Sequence, residues 1–438
     1  ITSLFFLWGF MTVMNDVLVP HLKSVFDLSH TRSVLVQSAF FGAYFIGSLI
    51  YYFIARAQGD PIQRIGYKRG LMLGLAISAS GCLLFVPATY LHVYEVYLLA
   101  LFVLGLGITL LQIAANPFVA IIGPPETASS RLNLAQAFNS LGTTLAPIIG
   151  GVLIFRLFQG DQAVRWPYLF FAALLVLLIL LVRATRLPEP LADAPTTGGD
   201  ALRLPQVRWG MLAIFLYVGV EVSIGTLITA FAGLADVAGL DHDQAKRFIA
   251  LYWGGAMVGR FVGAVGLRAV PWLRKAGTMA LLIAGLVVLI FSILKAEGGH
   301  AFSDQLPFVG MACLHALLVL AVGDRPGKLL SLSAGAAVLL LIAAVLLPGH
   351  WALWALTSIG LFNSVLWGNI FTRAIDGLGR DTAQASSLLV MMILGGALLP
   401  LAQAALADTA IGLRHSFLLL TLGYAYLAWY GLKEHRQA

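Results

Sequence analysis

Charge is what this 438-residue chain has least of: Asp, Glu, Lys and Arg together make only 11% of it, while 60% is apolar. Soluble globular domains run at about a quarter charged, so a water-facing surface of ordinary composition is excluded. Cysteine is almost missing. Cys82 and Cys313 both sit in apolar runs, and two thiols cannot staple a secreted disulfide scaffold. Acids are the scarcer sign, 20 against 27 basic residues, for a net charge of +7. That excess does not indicate nucleic acid, because the basic residues fall in short gaps between apolar runs, where orientation in a bilayer explains them. The nine histidines lack the i, i+4 pairing of a metal helix, and no Gly-x-Ser-x-Gly nucleophile turn occurs. Gly323 to Lys328 lacks the spacing of a phosphate loop and its following Ser or Thr. A polytopic membrane enzyme is therefore disfavoured, and neither metal nor cofactor is expected.

What is there is a series of apolar stretches of about 18 to 25 residues, long enough to cross a hydrocarbon core of about 30 Å. They lie near 1–20, 34–55, 70–89, 94–122, 131–155 and 166–187, and then near 208–235, 247–269, 276–296, 305–323, 328–347, 351–375, 384–407 and 412–432. The expected fold is an all-α polytopic membrane protein of about fourteen spans. The chain opens inside an apolar run without an initiator methionine, which reads as a truncated first span rather than a signal peptide. With a cytoplasmic N-terminus, eighteen Lys and Arg residues fall in inward gaps and eight in outward ones. Both termini are thus expected on the cytoplasmic side.

The second block echoes the first. Phe41-Gly42-Ala43-Tyr44 and Gly47 of span two are matched by Trp253-Gly254-Gly255-Ala256 and Gly259 of span eight. Gly142 and Pro147 of span five are matched, at the same interval, by Gly395 and Pro400, and Asn116-Pro117-Phe118 loosely by Asn369-Ile370-Phe371. Transporters built from such repeats place their substrate site between them at mid-membrane. The expected domains are a six-helix half at 1–187, a cytoplasmic linker at 188–207 with its Thr196-Thr197-Gly198-Gly199, and a second half at 208–438. Six plus six leaves two helices over. Arg325-Pro326-Gly327-Lys328 makes the better start for the ninth helix of such a plan, so an inserted hairpin is expected near 276–323, as padding or an oligomer contact.

Two acids lie well inside spans, Asp16 in span one and Glu221 in span seven. A carboxylate at that depth costs about 2.5–3.5 kcal/mol on insertion scales, so each should face a wet cavity and serve binding or proton transfer. Asp16, near Pro20, has an interfacial position as its alternative. Around them stand neutral amides on helices: Asn15, Gln37, Gln112, Asn116, Asn133, Gln136, Asn139, Asn363 and Asn369. Amides both donate and accept, as a polyhydroxylated ligand requires, without an ion's desolvation cost. Interhelical bonding competes for about half of them. Gln112 and Asn116 share a face at i, i+4, as do Gln136 and Ser140, with Asn139 in the same turn. Trp8 and Trp367 could stack on the apolar face of a sugar, although rings in spans mostly pack or anchor.

LFFLWGF (Leu4 to Phe10), MNDVLVP (Met14 to Pro20), VQSAFFGAYF (Val36 to Phe45), LLQIAANPF (Leu110 to Phe118) and RLNLAQAFNSLG (Arg131 to Gly142) resemble the fucose permease and glucose/galactose transporter family of the major facilitator superfamily. YVGVEVSIG (Tyr217 to Gly225) looks like its glucose/galactose branch. The resemblance implies two six-helix halves and sugar uptake coupled to protons by alternating access. It places Asp16, Gln136 and Asn139 in the binding and coupling region. The fucose permease pattern has a glutamate at Gln112 and an amide at Glu221, so one titratable group stands in span seven instead of span four. That departure favours glucose, galactose or an N-acetylated hexosamine over fucose. Arg64, Gly66, Lys68 and Arg69 retain part of the superfamily's loop signature, whose implied role is a latch between helices.

The expectation is a proton-coupled importer of a neutral hexose in a bacterial inner membrane, a monomer whose partners are the sugar and the lipid bilayer. Its proton-coupling residues are Asp16 and Glu221. Its sugar ligands are Asn15, Gln37, Gln112, Asn116, Gln136, Asn139, Asn363 and Trp367. Fucose or N-acetylhexosamine uptake, an uncoupled facilitator and a proton-driven drug exporter are the alternatives.

Overall fold

The structure, a computed structural model, describes residues 1–27, 30–158, 160–189, 200–298 and 301–433. Most of the expected linker, 190–199, lies outside the described residues, as do the side chains of Asp16 and Gln37. Apolar runs without water must satisfy their backbone internally, and among the described residues the chain is helical throughout, with no strand.

The first helices are α1 (Thr2–Val25), α2 (His30–Gln58), α3 (Pro61–Ile65), α4 (Tyr67–Leu91), α5 (Tyr94–Ile121), α6 (Ala128–Val152) and α7 (Gln162–Ala184). There follow α8 (Pro205–Gly233), α9 (His242–Gly266), α10 (Trp272–Gly298), α11 (Leu306–Val322), α12 (Pro326–Leu346), α13 (His350–Asn363) and α14 (Leu366–Ile375). The chain closes with α15 (Thr382–Met391), α16 (Gly395–Ala407), α17 (Gly412–Ser416) and α18 (Leu418–Leu432). Helix starts follow capping chemistry. Asp60 accepts from the Ile62 and Gln63 amides ahead of α3, and Asp241 forms a capping box with Gln244 at α9.

Among the described residues, ten helices are long and apolar enough to cross a membrane by length and composition, against the expectation of about fourteen. The other four elements of that count are α1, α6, α13–α14 and α17–α18. The apolar run of α1 is Thr2–Asn15. The first half of α6 carries Ser129, Ser130, Arg131, Asn133, Gln136, Asn139 and Ser140. α13 and α14 are separated by a turn at Ser364 and Val365, and α17 gives way to α18 at Phe417.

Two compact units are formed. One comprises Ile1–Gly123, Leu141–Arg208 and Ile375–Met392; the other comprises Pro124–Ser140, Trp209–Ala374 and Ile393–Ala438. In the first unit α4 packs on α5 and α7, and α15 packs on α2 and α5. In the second, α12 packs on α13 and α18, while α9 is surrounded by α10, α11 and α13. Small residues set these contacts, as they do between membrane helices generally. A Cβ on Gly142 would overlap the Phe6 carbonyl oxygen within the first unit; in the second, one on Gly395 would overlap that of Phe215. Gly142→Val and Gly395→Val are each expected to cost the top of, or more than, the about 1–3 kcal/mol of ordinary overpacking, because backbone must move. Gly277→Ala, with nothing within 4 Å of its Cβ position, is the control. Monodisperse yield in detergent is the measure; equal yields for all three would refute this packing.

Candidate functional site

The second unit buries an ion pair. Glu221, the acid of α8, is 7% exposed, and Arg260 of α9 is 9% exposed; at such burial a charge stands only if paired and hydrogen-bonded. Arg260 Nη2 lies 3.6 Å from Glu221 Oε1. Tyr217, one turn before Glu221, donates its hydroxyl to the same oxygen at 2.7 Å and accepts from Arg260 Nη2 at 3.4 Å. Arg260 Nη1 donates to Ser140 Oγ on α6. The Trp367 ring, on α14, lies 6.3 Å from that of Tyr217 and stacks on Phe371. Its indole nitrogen is buried without a hydrogen-bond partner among the described residues.

Behind Glu221 runs a second set of bonds. Tyr424 donates to Asn363 Oδ1 at 2.7 Å, Asn363 Nδ2 donates to the Tyr252 hydroxyl at 2.8 Å, and Tyr252 donates to the Glu221 carbonyl at 2.9 Å. Asn363 is the last residue of α13 before the turn, and both ends of its amide are engaged with phenols.

The start of α6 is fixed within the same unit. Ser130 donates to the Ala264 carbonyl at 2.6 Å, Ser129 and Thr372 share a hydrogen bond of 2.8 Å, and Asn133 Nδ2 reaches Asn369 Oδ1 at 3.3 Å. Asn133 and Asn369 thus bond helix to helix. Gln136 is buried and Asn139 half-buried on the turn of α6 that ends in Ser140. In chemical terms the Arg260 cluster offers a carboxylate able to take a proton, a guanidinium, two hydroxyls and an indole, with the amides of Gln136 and Asn139 on the α6 turn that ends in Ser140. This is an inventory for a hydroxylated ligand rather than for covalent chemistry.

The first unit gathers a separate polar group. Asn15 on α1 is buried, and neither end of its amide has a hydrogen-bond partner among the described residues. The Tyr44 hydroxyl lies within hydrogen-bonding reach of Trp8, Thr12 and Gln112. Asn116 donates back to the Gln112 carbonyl of its own helix at 3.1 Å. Asp16 lies on α1 and Gln37 on α2, with side chains outside the described residues.

At the α2–α4 turn, the residues expected as a latch divide. Gly66 has a φ of 88°, and its Cβ position is occupied by the Glu189 carboxylate. That carboxylate accepts from the amides of Tyr67 at 2.8 Å and Lys68 at 3.0 Å, at the positive end of α4. Lys68 Nζ donates to the carbonyls of Arg183, in the last turn of α7, and Thr185, just past its end. Arg64 and Arg69 are exposed. Nearby, Asp200 accepts from Tyr52 at 2.9 Å and pairs with Arg56 and Arg203, and Ala201 donates to Gln384 on α15. Burial pushes the Asp60 carboxyl up, against the lowering effect of Tyr51 and three backbone amides.

The profile of the Major Facilitator Superfamily matches residues 1–312. The chain belongs to this superfamily. A glucose/galactose transporter of Brucella abortus is 41% identical over 99% of this chain and 92% of its own length. The L-fucose-proton symporter of Escherichia coli K12 is 28% identical over 97% of this chain and 90% of its own. Among solved structures, the major facilitator transporter FucP in its outward conformation aligns with a TM-score of 0.75 at 27% identity, covering 98% of this chain and 96% of that one. These are transporters, not enzymes. The chain is accordingly a multi-pass membrane transporter with the all-helical major facilitator fold.

Within that fold, sequence reasoning missed Arg260. The eighteen inward and eight outward basic residues account for all but one of the 27, and the one left over is the arginine that pairs with Glu221. A basic residue assignable to neither side of the membrane was the available signal. Glu189 was missed as well, being read only as linker. At another loop cluster Arg414 binds Asp236 and the Leu347 carbonyl, and its guanidinium holds the Asp236 carboxyl below the usual carboxylate range. Among the described residues, no three His, Cys, Asp or Glu side chains gather as a metal site requires.

Proposed function

We propose that this protein imports a neutral hexose of the glucose/galactose type together with a proton, as a secondary active transporter working by alternating access. The observation that carries the reading is the buried Glu221–Arg260 pair with Tyr217 and Ser140 on its open valences. The names of the relatives support the substrate class and the coupling ion. No cofactor is required beyond the proton.

A proton on Glu221 neutralises the partner of Arg260 and leaves a buried cation uncompensated, a costly state. The guanidinium is then free to donate to sugar hydroxyls, and closure over the sugar satisfies it. Opening to the cytoplasm rewets Glu221, which loses its proton, recaptures Arg260 and expels the sugar; the gradient drives accumulation. Asp16 is the second candidate coupling acid. Gln136, Asn139 and Trp367 are sugar contacts in this reading. Asn15, Gln37, Gln112 and Asn116 contribute from the first half. Asn363 positions α13 through its two phenols and faces sugar only if they part. Gly66 and Lys68, with Arg64 and Arg69 beside them, form the latch.

The architecture in this reading is two six-helix halves, 1–187 and 208–438, joined by the linker 188–207, with an inserted α10–α11 pair within 276–323 and about fourteen spans. In its support, α12 packs on α13 and α18 as α4 packs on α5 and α7, which makes α12 the counterpart of α4. The membrane is the bacterial inner membrane, both termini are cytoplasmic, and the protein is a monomer.

Counterflow of radiolabelled galactose in proteoliposomes, with unlabelled glucose, galactose, fucose and N-acetylglucosamine as competitors, tests the substrate. Glucose and galactose should compete at least about tenfold more tightly than fucose, a difference of about 1.4 kcal/mol. Preferential competition by fucose or N-acetylglucosamine would replace the substrate assignment, and counterflow of none would end the sugar reading.

A further inference from the structure

α9 carries Arg260 and is held by the two helices outside the twelve-helix plan. Lys275, at the start of α10, donates from Nζ to the Gly266 carbonyl at 2.8 Å, a cation on the negative end of α9. Gly266 leaves room for Val319 of α11 and Met279 of α10, and Gly254 for Ile290 of α10. On another side, a Cβ on Gly259 would overlap Ser364 Oγ at the α13–α14 turn.

At this crossing stands His315 of α11. It is wholly buried, packs edge-on against Phe362 at 5.3 Å between ring centroids, and faces the carbonyl of Gly259, the residue before Arg260. Neither ring nitrogen completes a hydrogen bond of normal geometry among the described residues. A buried polar group left in that state calls for a reason, since a phenyl ring or leucine would fill the space without the penalty.

We infer that His315 is a positioning residue for transport: its ring N–H engages the Gly259 carbonyl in one state of the cycle and releases it in another, so that the α10–α11 pair governs how Arg260 is presented. The inference rests on the reading of Arg260 as part of the transport site. A hydrogen bond made in one state and lost in another shifts the balance between states by about three- to tenfold. The imidazole therefore acts on rate rather than on sugar affinity.

The test is galactose exchange in proteoliposomes for His315→Phe, His315→Asn and His315→Gln, with Glu221→Gln and Arg260→Gln in parallel and melting in detergent for all. His315→Phe should lower the maximal exchange rate about three- to tenfold with an unchanged half-saturating galactose concentration and unchanged melting. One of the two amides, whose N–H groups sit near the positions of Nδ1 and Nε2, should restore most of the rate. Wild-type exchange by the Phe variant, or equal loss in all three, overturns the inference, as does a loss that tracks melting. Should the Phe variant not fold, unequal rates for Asn and Gln support the inference and equal rates overturn it. If Arg260→Gln exchanges galactose normally, the reading of the site fails first; if Arg260→Gln is impaired while His315→Phe is normal, only the present inference fails.

Discussion

Glu221→Gln should reduce sugar-induced alkalinisation of a weakly buffered medium to near background while leaving sugar exchange within a few-fold of wild type. The glutamine amide oxygen can keep accepting from the Tyr217 hydroxyl, which now donates to Glu221 Oε1, so the variant mimics the protonated acid of the proposed cycle, with Arg260 left uncompensated as in that state. What it cannot do is take up and release a proton. Coupling between two ligand sites is typically worth 5- to 150-fold in affinity, so concentrative uptake should fall by about that range. Asp16→Asn is the companion measurement. If both variants still move protons with the sugar, neither acid is the coupling site; if only Asp16→Asn loses coupling, the role belongs to α1 and Glu221 serves Arg260 alone.

Arg260→Leu is the more damaging change. It strands the Glu221 carboxylate in a place where both side chains are about nine-tenths shielded, and breaking a buried pair from one side costs about 3–5 kcal/mol. That is about two to four decades in the ratio of folded to unfolded protein. Tyr217 and Ser140 lose a donor as well. Glu221→Gln combined with Arg260→Leu should recover most of the loss, because the stranded charge has gone, yet remain uncoupled. Melting temperature and monodisperse yield in detergent, read as a double-mutant cycle, give the interaction directly. A single Arg260→Leu variant as stable as wild type would mean that Glu221 is compensated by something else.

Much of the helical arrangement is legible in the primary structure, because span length and small-residue spacing are local properties. Gly142 and Gly395 stand out at matching intervals, and each is the point where a neighbouring backbone carbonyl comes too close for a side chain. Glu221 is legible for a similar reason, as an acid well inside an apolar stretch. Arg260 is not legible in the same way, because in a membrane protein a basic residue is first a marker of sidedness, and nothing local distinguishes a cation buried in a span from one at its edge. The partners of Asn363 could not have been found, since Tyr252 is 111 residues away from it and Tyr424 is 61. Which amides bind ligand and which bind helices depends on such distant partners. The turn at Ser364 is hidden too, because an apolar stretch reads the same whether or not its helix is interrupted.

The row from Tyr424 through Asn363 and Tyr252 to the Glu221 carbonyl has a direction, each donor feeding the next acceptor. It contains a carboxamide, which holds its hydrogens rather than handing them along, and it terminates on main-chain oxygen instead of the carboxyl. The row is therefore insulation and not a wire. Protons are not relayed to Glu221 along that row, and the described contacts of its carboxyl lie on the face it shares with Tyr217 and Arg260, so a leak of protons without sugar would have to be sealed there.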